Sequence, residues 1–201
     1  MVYWLGQAPL MVPAKRKVSL MDQNVRAVLD ELETRIAQER EVMRSWEDDN
    51  KDWKDFNADE FALAAGPDSA AFLNLLIRTK GARNVVEVGT SIGYTALWLG
   101  EAVRDTGGRV VGMENLGAKH KEALENLKRV KLDDIVEVRL GDAKEIVKDI
   151  DGPIDLAFLD AWKDDYVDYF DALLPKLSIG GCVVADNITF PEGVRELMKD
   201  Y

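Results

Sequence analysis

Short apolar runs alternate with amphipathic segments from residue 84 onward, and this alternation most constrains the fold of the 201-residue chain. Each run is bounded by Gly, Asp or charged residues, which is typical of strands in the middle of a parallel sheet. The predicted strands are residues 84–88, 109–113, 135–140, 154–159 and 182–185. The predicted helices between them are residues 94–103, 118–130, 143–150 and 164–174. Strands and helices at this spacing form right-handed βαβ units, so the sequence predicts an α/β fold: a doubly wound, mostly parallel sheet with helices on both faces.

Two further helices are predicted before this region. Asp22 is in position to cap a helix that runs to about residue 44. Its apolar residues recur at spacings of three and four, which places them on one face: Val25, Val28, Leu29, Leu32 and Ile36. Gly66 and Pro67 open the second helix, and Gly81 ends it. The apolar face of this second helix is predicted to contain Phe72, Leu75 and Leu76.

The segment between these helices, SWEDDNKDWKDFN at residues 45–57, is too polar for a core element. It carries three aromatic side chains, Trp46, Trp53 and Phe56. Two interpretations are open: a charged loop that these aromatic residues anchor to the body of the protein, or a mobile lid on a ligand site.

The charge of the chain bears on its partners. Lys and Arg number 26 against 37 Asp and Glu, which gives a formal net charge of −11. A field of this sign repels phosphate backbones, and the longest basic cluster is the short run at residues 15–17, so no nucleic-acid partner is expected. No apolar run approaches the roughly 20 residues of a membrane-spanning helix, so we expect a soluble, cytoplasmic protein with no membrane partner.

The chain has a single cysteine, Cys182, and a single histidine, His120. An intramolecular disulfide is therefore impossible, and a zinc site of the usual nitrogen and sulfur kind is excluded. Cys182 lies within an apolar run and is expected to be a small buried hydrophobic residue. His120 is expected on the surface of a helix.

Two of the apolar runs, both expected to be buried on both faces, end in side chains that offer oxygen ligands. Asp160 follows residues 154–159, and Asp186 with Asn187 follows residues 182–185. The carboxyl ends of adjacent parallel strands share one crevice, so these side chains can converge on one ion. Three oxygen donors suit a hard cation such as Mg²⁺.

The turn after the first strand reads EVGTSIGYT. A dinucleotide-binding fingerprint needs glycine where Ser91 and Tyr94 stand, which argues against an NAD-dependent oxidoreductase. Glu87 precedes Gly89 closely, and Gly93 opens the following helix, so the wider turn suits a charged ligand without phosphate. Glycines in such a turn also serve backbone geometry alone.

Two acids follow the next strands at the same edge of the sheet. Glu114 ends the second strand, where an acid can accept hydrogen bonds from both hydroxyls of a ribose. Its alternative role is that of an exposed carboxylate at the end of a strand. Asp142 follows the third strand, where it can accept from the exocyclic amine of an adenine or cap the next helix, and both roles can hold together.

A family resemblance rests on four segments, VVEVGTSIGYTALWL, LGDA, FLDAWKDDY and VVADN, together with Glu114. In this order and spacing they resemble the catechol O-methyltransferase type of class I S-adenosylmethionine-dependent methyltransferase. The resemblance covers residues 61–191. It implies a Rossmann-like methyltransferase sheet of strand order 3-2-1-4-5 in a domain at residues 60–201. Residues 1–59 would then be an N-terminal helical extension that includes the segment interpreted above as a charged loop or a lid.

The resemblance also implies a role for individual residues in binding the methyl donor, S-adenosylmethionine. The methionine part would lie beside Glu87, Gly89, Ser91, Gly93 and Thr95, and Asp160 would also take part in binding the donor. The residues that would close over it are Leu63, Ala65 and Gly66. Glu114 would bind the ribose, and the adenine would lie among Asp142, Ala143 and Trp162.

The resemblance assigns the chemistry to the remaining residues. Mg²⁺, or another divalent cation, would be held by Asp160, Asp186 and Asn187, and Lys163 would be the general base. A sulfonium methyl is an activated electrophile, so such an enzyme has to supply a deprotonated oxygen in line with it. A cation chelated by vicinal hydroxyls lowers their pKa, and a base that takes the proton contributes about 10²–10⁴ in rate. The expected acceptor is a small molecule with a hydroxyl group, of the catechol kind.

The chain departs from the family pattern at its C-terminal end. The family continues after the fifth strand with a helix and two antiparallel strands, whereas here a short helix-like segment, residues 191–201, comes last. We expect the exposed sheet edge to be covered by a second subunit in a homodimer or by residues 1–57, or the domain to be a truncated form. An alternative function is therefore a donor-binding or dimerisation module without catalysis.

Overall fold

The chain forms a five-stranded parallel sheet with helices on both faces in the computed structural model, which describes residues 21–49 and 57–188. The strands are β1 (Asn84–Val88), β2 (Arg109–Glu114), β3 (Val136–Leu140), β4 (Ile154–Leu159) and β5 (Leu177–Ala185). Their order is β3-β2-β1-β4-β5. This order confirms the α/β fold predicted from the alternating pattern, and it confirms the strand order that the resemblance implies.

Six α-helices accompany the strands in the described part of the chain. They are α1 (Gln23–Asp48), α2 (Pro67–Lys80), α3 (Tyr94–Thr106), α4 (Gly117–Arg129), α5 (Ala143–Ile146) and α6 (Tyr166–Leu173). Short 3-10 segments flank the last two helices at Val147–Asp149, Lys163–Asp165 and Leu174–Lys176. None of these helices is long and apolar enough to cross a membrane. The helix-like segment predicted at residues 191–201 and the apolar residues 1–20 lie outside the described residues.

The sheet separates two hydrophobic cores. Successive residues of a strand face opposite sides of the sheet, so each central strand contributes to both cores. On one side, Val85 and Leu156 pack with apolar residues of α1, α2, α3 and α4. On the other side, Val86 and Leu159 pack with α6 and with the residues after α5. Helices therefore cover both faces of the sheet, and the loops at its carboxyl edge are held between two packed layers.

Helix α1 has the predicted apolar face. All five residues of that face are at most 7% exposed and belong to the first core. Asp22 caps the helix, because its side chain accepts a hydrogen bond of 2.7 Å from the backbone N–H of Asn24. The helix continues to Asp48, so the prediction of a loop from residue 45 is wrong for residues 45–48. Residues 50–56 of that loop, including Trp53 and Phe56, lie outside the described residues.

Helix α2 has the predicted ends but a different buried face. Gly66 precedes it, and Gly81 ends it in the left-handed conformation with φ +65°. Phe72 and Leu75 are 54% and 62% exposed, so the predicted face is wrong for these two residues, whereas Leu76 is half-buried and packs against the first core. The buried side consists of Ala70, Leu73, Asn74 and Ile77. A polar residue can occupy it because Asn74 Nδ2 donates a hydrogen bond of 2.8 Å to the backbone oxygen of Trp98 on α3, against which α2 packs.

One prediction for α4 is also corrected. The helix is buried at Leu127, with Val130 buried just after it, whereas Leu124 is 39% exposed. His120 is half-buried and not on the surface, because it faces the sheet: its Nε2 lies 2.9 Å from the backbone oxygen of Val138 in β3.

Strand β5 begins at Leu177, earlier than predicted, and it lies at the edge of the sheet. The apolar residues of β4 are buried, as predicted, but those of the predicted strand at residues 182–185 are only half-buried, and Ile179 of β5 is fully exposed. In the described residues β5 pairs with β4 alone. Cys182 is accordingly half-buried, and the expectation that it is fully buried is wrong.

The corrected face of α2 gives a stability prediction. Replacing Leu73, which is 1% exposed, with alanine leaves a cavity in the first core and is expected to lower the free energy of unfolding by about 2–5 kcal/mol. The matched change Leu75→Ala removes the same atoms from a side chain that is 62% exposed, and its effect is expected to stay within about 0.5 kcal/mol. Urea unfolding measures both; equal losses in the two variants would contradict the assignment.

Candidate functional site

The polar residues predicted from the sequence lie at the carboxyl edge of the sheet. Backbone hydrogen bonds extend the ladders past the ends of the central strands: Asp160 N donates to Val88 O at 2.8 Å, and Asp186 N donates to Leu159 O at 2.9 Å. These bonds fix Asp160 beside the turn that follows β1, and they fix Asp186 beside the end of β4. Side chains from separate parts of the sequence therefore start from neighbouring, rigid positions.

The turn between β1 and α3 approaches β4 very closely. Gly89 has φ +93°, and a Cβ atom at this position would lie 2.2 Å from the backbone oxygen of Asp160. Gly93 has φ +87° and precedes α3, and a Cβ atom there would lie 3.1 Å from the Cα of Ala123 on α4. Both glycines are thus required by close backbone approach, in addition to the role that the resemblance implies for them.

Glu87 is a completely buried carboxyl group next to this turn. Its Oε2 accepts a hydrogen bond of 2.9 Å from Thr90 Oγ1, while its Oε1 is buried without a hydrogen-bond partner in the described part of the chain. Burial raises the pKa of Glu87 to about 8, and the negative charges of Asp160 and Glu114 act in the same direction. A buried acceptor of this kind suits a ligand that brings a positive charge or a hydrogen-bond donor.

Glu114 holds the other side of the turn. Its Oε2 accepts from the backbone N–H of Ser91 at 2.7 Å, and its Oε1 accepts from the backbone N–H of Leu116 at 2.8 Å. The side chain is therefore not the exposed carboxylate that the sequence left open, since Glu114 is only 7% exposed. Each of its oxygens keeps a second lone pair, so the group can still accept two ribose hydroxyls.

A lysine that the sequence analysis did not single out lies near Glu114. Lys119, on α4, is 9% exposed. Burial lowers its pKa, and the negative charge of Glu114 opposes this shift. It adds positive charge to an edge where carboxylates predominate.

The segment that the resemblance places over the donor is tied to the turn by hydrogen bonds. Ser91 Oγ donates to the backbone oxygen of Ala62, and the backbone N–H of Ala62 donates to Glu39 Oε2 on α1 at 2.6 Å. Of the predicted residues in this segment, Leu63 is exposed, Ala65 is buried and Gly66 is half-buried. A continuous path of hydrogen bonds therefore joins α1, this segment, the turn and Glu114. Thr95, the second residue of α3, is 4% exposed.

The residues predicted to surround the adenine are connected to one another. Asp142 accepts a hydrogen bond of 2.9 Å from the backbone N–H of Lys144, which confirms its role as the cap of α5. Lys144 Nζ pairs with Asp165 Oδ1 at 2.8 Å and so ties the start of α5 to the turn that carries Trp162. Ala143 is half-buried, whereas Trp162 is 65% exposed and offers a flat apolar surface. Their contact with adenine stays a prediction.

Asp160 and Lys163 form an ion pair at the end of β4. Lys163 Nζ lies 3.0 Å from Asp160 Oδ1, and the two side chains are 17% and 10% exposed. Burial raises the pKa of Asp160 to about 6; the charge of Lys163 opposes this shift, and that of Asp186 adds to it. Lys163 Nζ also donates to the hydroxyl of Tyr166 at 2.8 Å. The lysine is thus held between an acid and a phenol.

The predicted metal ligands suit a divalent cation in charge and in kind. Asp160 and Asp186 repel each other, and a cation between them would remove this repulsion. Within residues 21–49 and 57–188, no group of three or more His, Cys, Asp or Glu side chains is placed to hold a metal ion. The predicted set therefore depends on the amide oxygen of Asn187, an exposed residue with φ +54°. That these three residues hold the metal stays a prediction. Their carboxylate and amide oxygens are ligands of the kind that a hard divalent cation prefers.

Two further site residues were missed by the sequence analysis, although both lie in segments quoted for the resemblance. Thr90 is 3% exposed and binds Glu87. Tyr166, 0% exposed, binds Lys163. Two sequence signals could have indicated them. Thr90 is a hydroxyl residue three positions after Glu87, and Tyr166 is a tyrosine three positions after the candidate base.

Comparison with known proteins identifies a family of similar sequences. The sequence model of the O-methyltransferase family matches residues 57–200. The chain is 34% identical over 131 residues to a catechol O-methyltransferase of Niastella koreensis, an alignment that covers 63% of this chain and 59% of that protein. It is 35% identical over 134 residues to a catechol O-methyltransferase of Mycobacterium tuberculosis, covering 66% of this chain and 60% of the relative.

A solved structure supports the same relationship. The O-methyltransferase of Bacillus cereus, in complex with SAH, superimposes with a TM-score of 0.64 at 28% sequence identity. The superposition covers 89% of this chain and 69% of the Bacillus cereus chain. Against the two catechol O-methyltransferases, the aligned part of this chain spans 59% and 60% of their length.

The buried acid gives a pH prediction. The folded-state pKa of Glu87, about 8, lies above the ordinary value of 4.5, so this carboxyl group costs stability progressively as the pH rises from 4.5 through 8. Glu87→Gln removes the ionisation and keeps an acceptor for Thr90. The variant should therefore gain stability over the wild type as the pH rises, at about 1.4 kcal/mol for each unit of the pKa difference. Urea unfolding at pH 5 and pH 9 checks this, and an equal difference at both pH values would contradict it.

Proposed function

The chain belongs to the O-methyltransferase family, and on that premise we propose that it transfers a methyl group from S-adenosylmethionine to a hydroxyl of a small acceptor. The observation that carries the proposal is the meeting of the half-buried Asp160–Lys163 pair with the buried Glu87 and Glu114 at one edge of the sheet. This edge combines a base candidate, carboxylates for a metal and acceptors for a charged donor. The similarity to two catechol O-methyltransferases supports an acceptor with vicinal hydroxyls.

The carboxyl groups of Glu87 and Glu114 support the binding of a positively charged donor. Glu87 Oε1 is buried without a partner in the described residues, and it lies beside the turn formed around Gly89. The sulfonium and ammonium groups of S-adenosylmethionine are positively charged, so an edge rich in buried carboxylates would attract them. Glu114 is held rigidly by two backbone N–H groups, which would orient its oxygens toward a ribose. The complex of the Bacillus cereus relative with SAH supports the same choice of ligand.

The chemistry follows from the positions of Asp160, Lys163, Asp186 and Asn187. A divalent cation, when bound, would lower the pKa of vicinal hydroxyls and fix their orientation. Asp160 and Tyr166 keep Lys163 at this edge, which supports a role for its amine in taking the proton of the hydroxyl that receives the methyl group. The half-buried surroundings of the pair exclude much of the water that would compete as an acceptor.

The alternative function is a module that binds the donor, or that dimerises, without turnover. Donor binding without methyl transfer to any diol distinguishes this alternative. A cytoplasmic location, a homodimer and the absence of nucleic-acid partners are further parts of the proposal.

The base assignment predicts the effect of removing the amine. Lys163→Met should lower the rate of methyl transfer to catechol by about 10²–10⁴ while leaving the dissociation constant for S-adenosylmethionine unchanged, because the amine acts on the acceptor. Lys148→Met is the matched control, since Lys148 also pairs with a carboxylate at a spacing of three, Glu145, but on the surface. Transfer assays with radiolabelled donor measure both variants. A full rate in Lys163→Met would show that another group takes the proton.

The metal assignment predicts a response to chelation. Removing divalent cations with a chelator should abolish methyl transfer to catechol, and adding Mg²⁺ should restore it. Without the cation that Asp160 and Asp186 would hold, the acceptor loses the ion that orients its hydroxyls and lowers their pKa. Asp186→Asn should raise the Mg²⁺ concentration needed for half-maximal rate. Activity indifferent to the chelator would exclude the metal mechanism while leaving the donor site intact.

A further inference from the structure

The hydroxyl of Tyr166 connects the ends of two strands to the candidate base. The tyrosine is fully buried, and its oxygen lies 3.0 Å from the backbone oxygen of Leu159 at the end of β4. The same oxygen lies 3.0 Å from the backbone oxygen of Asp186, just beyond β5, and 2.8 Å from Lys163 Nζ. A phenol has one hydrogen to donate, so it donates to the two carbonyl oxygens in a shared or alternating bond and accepts from the lysine.

Lys163 has few other restraints within the described residues. Its ammonium group contacts Asp160 and the Tyr166 hydroxyl, and it lies over the Tyr166 ring at 5.0 Å from the centroid. A lysine carries four rotatable bonds, and one acid partner does not fix its tip in three dimensions. The tyrosine hydroxyl supplies the second fixed point, and this point is itself tied to the backbone of β4 and β5.

We propose that Tyr166 is a positioning residue for Lys163: its hydroxyl holds the lysine amine in register with the ends of β4 and β5, between which the acceptor would lie. The inference rests on the proposed function, in which Lys163 takes the proton of the acceptor. Without the hydroxyl, the amine would turn toward Asp160 alone and leave the position from which it would take the proton of the acceptor. A displacement of about 1 Å from reacting geometry can cost about 10²-fold in rate.

The test is Tyr166→Phe, which keeps the buried ring and removes only the hydroxyl. Its kcat for methyl transfer to catechol should fall at least about tenfold, while the KM for S-adenosylmethionine stays within about twofold, because the hydroxyl acts on the base and not on the donor site. Tyr169→Phe is the matched control: Tyr169 lies on the same helix, is 4% exposed and hydrogen-bonds to Asp165. This control should leave kcat unchanged.

A double variant separates positioning from a general structural effect. If Tyr166 acts through Lys163, adding Tyr166→Phe to Lys163→Met should leave the residual rate unchanged, because the interaction is already lost. An additional loss of the same size as in the single variant would overturn the inference. So would an unchanged kcat in Tyr166→Phe.

A measurement that needs no turnover separates this inference from the proposed function. Brief acetylation with limiting acetic anhydride, followed by peptide mass spectrometry, reports how freely each lysine moves and meets solvent. Labelling of Lys163, relative to the exposed Lys121, should rise several-fold in Tyr166→Phe and not in Tyr169→Phe; equal labelling would overturn the inference. If labelling rises as expected but the wild-type protein methylates no diol, the proposed function fails and the positioning role of Tyr166 stands.

Discussion

The concentration of negative charge at one edge of the sheet is the constraint on which the site depends. Parallel strands all end at the same edge, so acids in the last residues of β1 and β2 and directly after β4 and β5 become neighbours in space. The charges of Glu114 and Asp160 contribute to the raised pKa of Glu87, and the charge of Asp186 contributes to that of Asp160. Burial in the same place adds the cost of desolvation. An edge of this kind is stabilised by cations.

Contacts within the fold compensate part of this negative charge, and the proposed ligands would compensate the rest. Glu114 is satisfied by two backbone N–H groups, and Asp160 by Lys163, whereas Glu87 keeps one buried oxygen without a partner in the described residues. The methyl donor and the metal that we propose are both positively charged, so each would relieve the repulsion that the sheet topology creates. The repulsion among these carboxylates is thus the physical reason for proposing positively charged ligands at this edge.

The sequence predicted the layout of the sheet well because each strand is a short apolar run with a clear end. It failed where burial depends on packing between elements. The stripe of Phe72 and Leu75 on α2 is exposed, since α2 packs on α3 through a face that includes Asn74, and the hydrogen bond to the backbone of Trp98 is invisible in a pattern of apolar residues. Likewise, the acids of the site could be located at the strand ends, but Tyr166 acquires its role only from the three atoms around its hydroxyl.

The most direct test of the account is a calorimetric titration of S-adenosylmethionine into the wild-type chain and into Gly89→Ala. A methyl group at position 89 would meet the backbone of Asp160 at 2.2 Å and push the turn away from the edge, so the account predicts binding of one donor per wild-type chain and its loss in the variant. Thermal unfolding shows that both proteins are folded before the titration. A folded wild-type chain that binds no donor, or a variant that binds it equally well, would contradict the claim that this edge is the donor site.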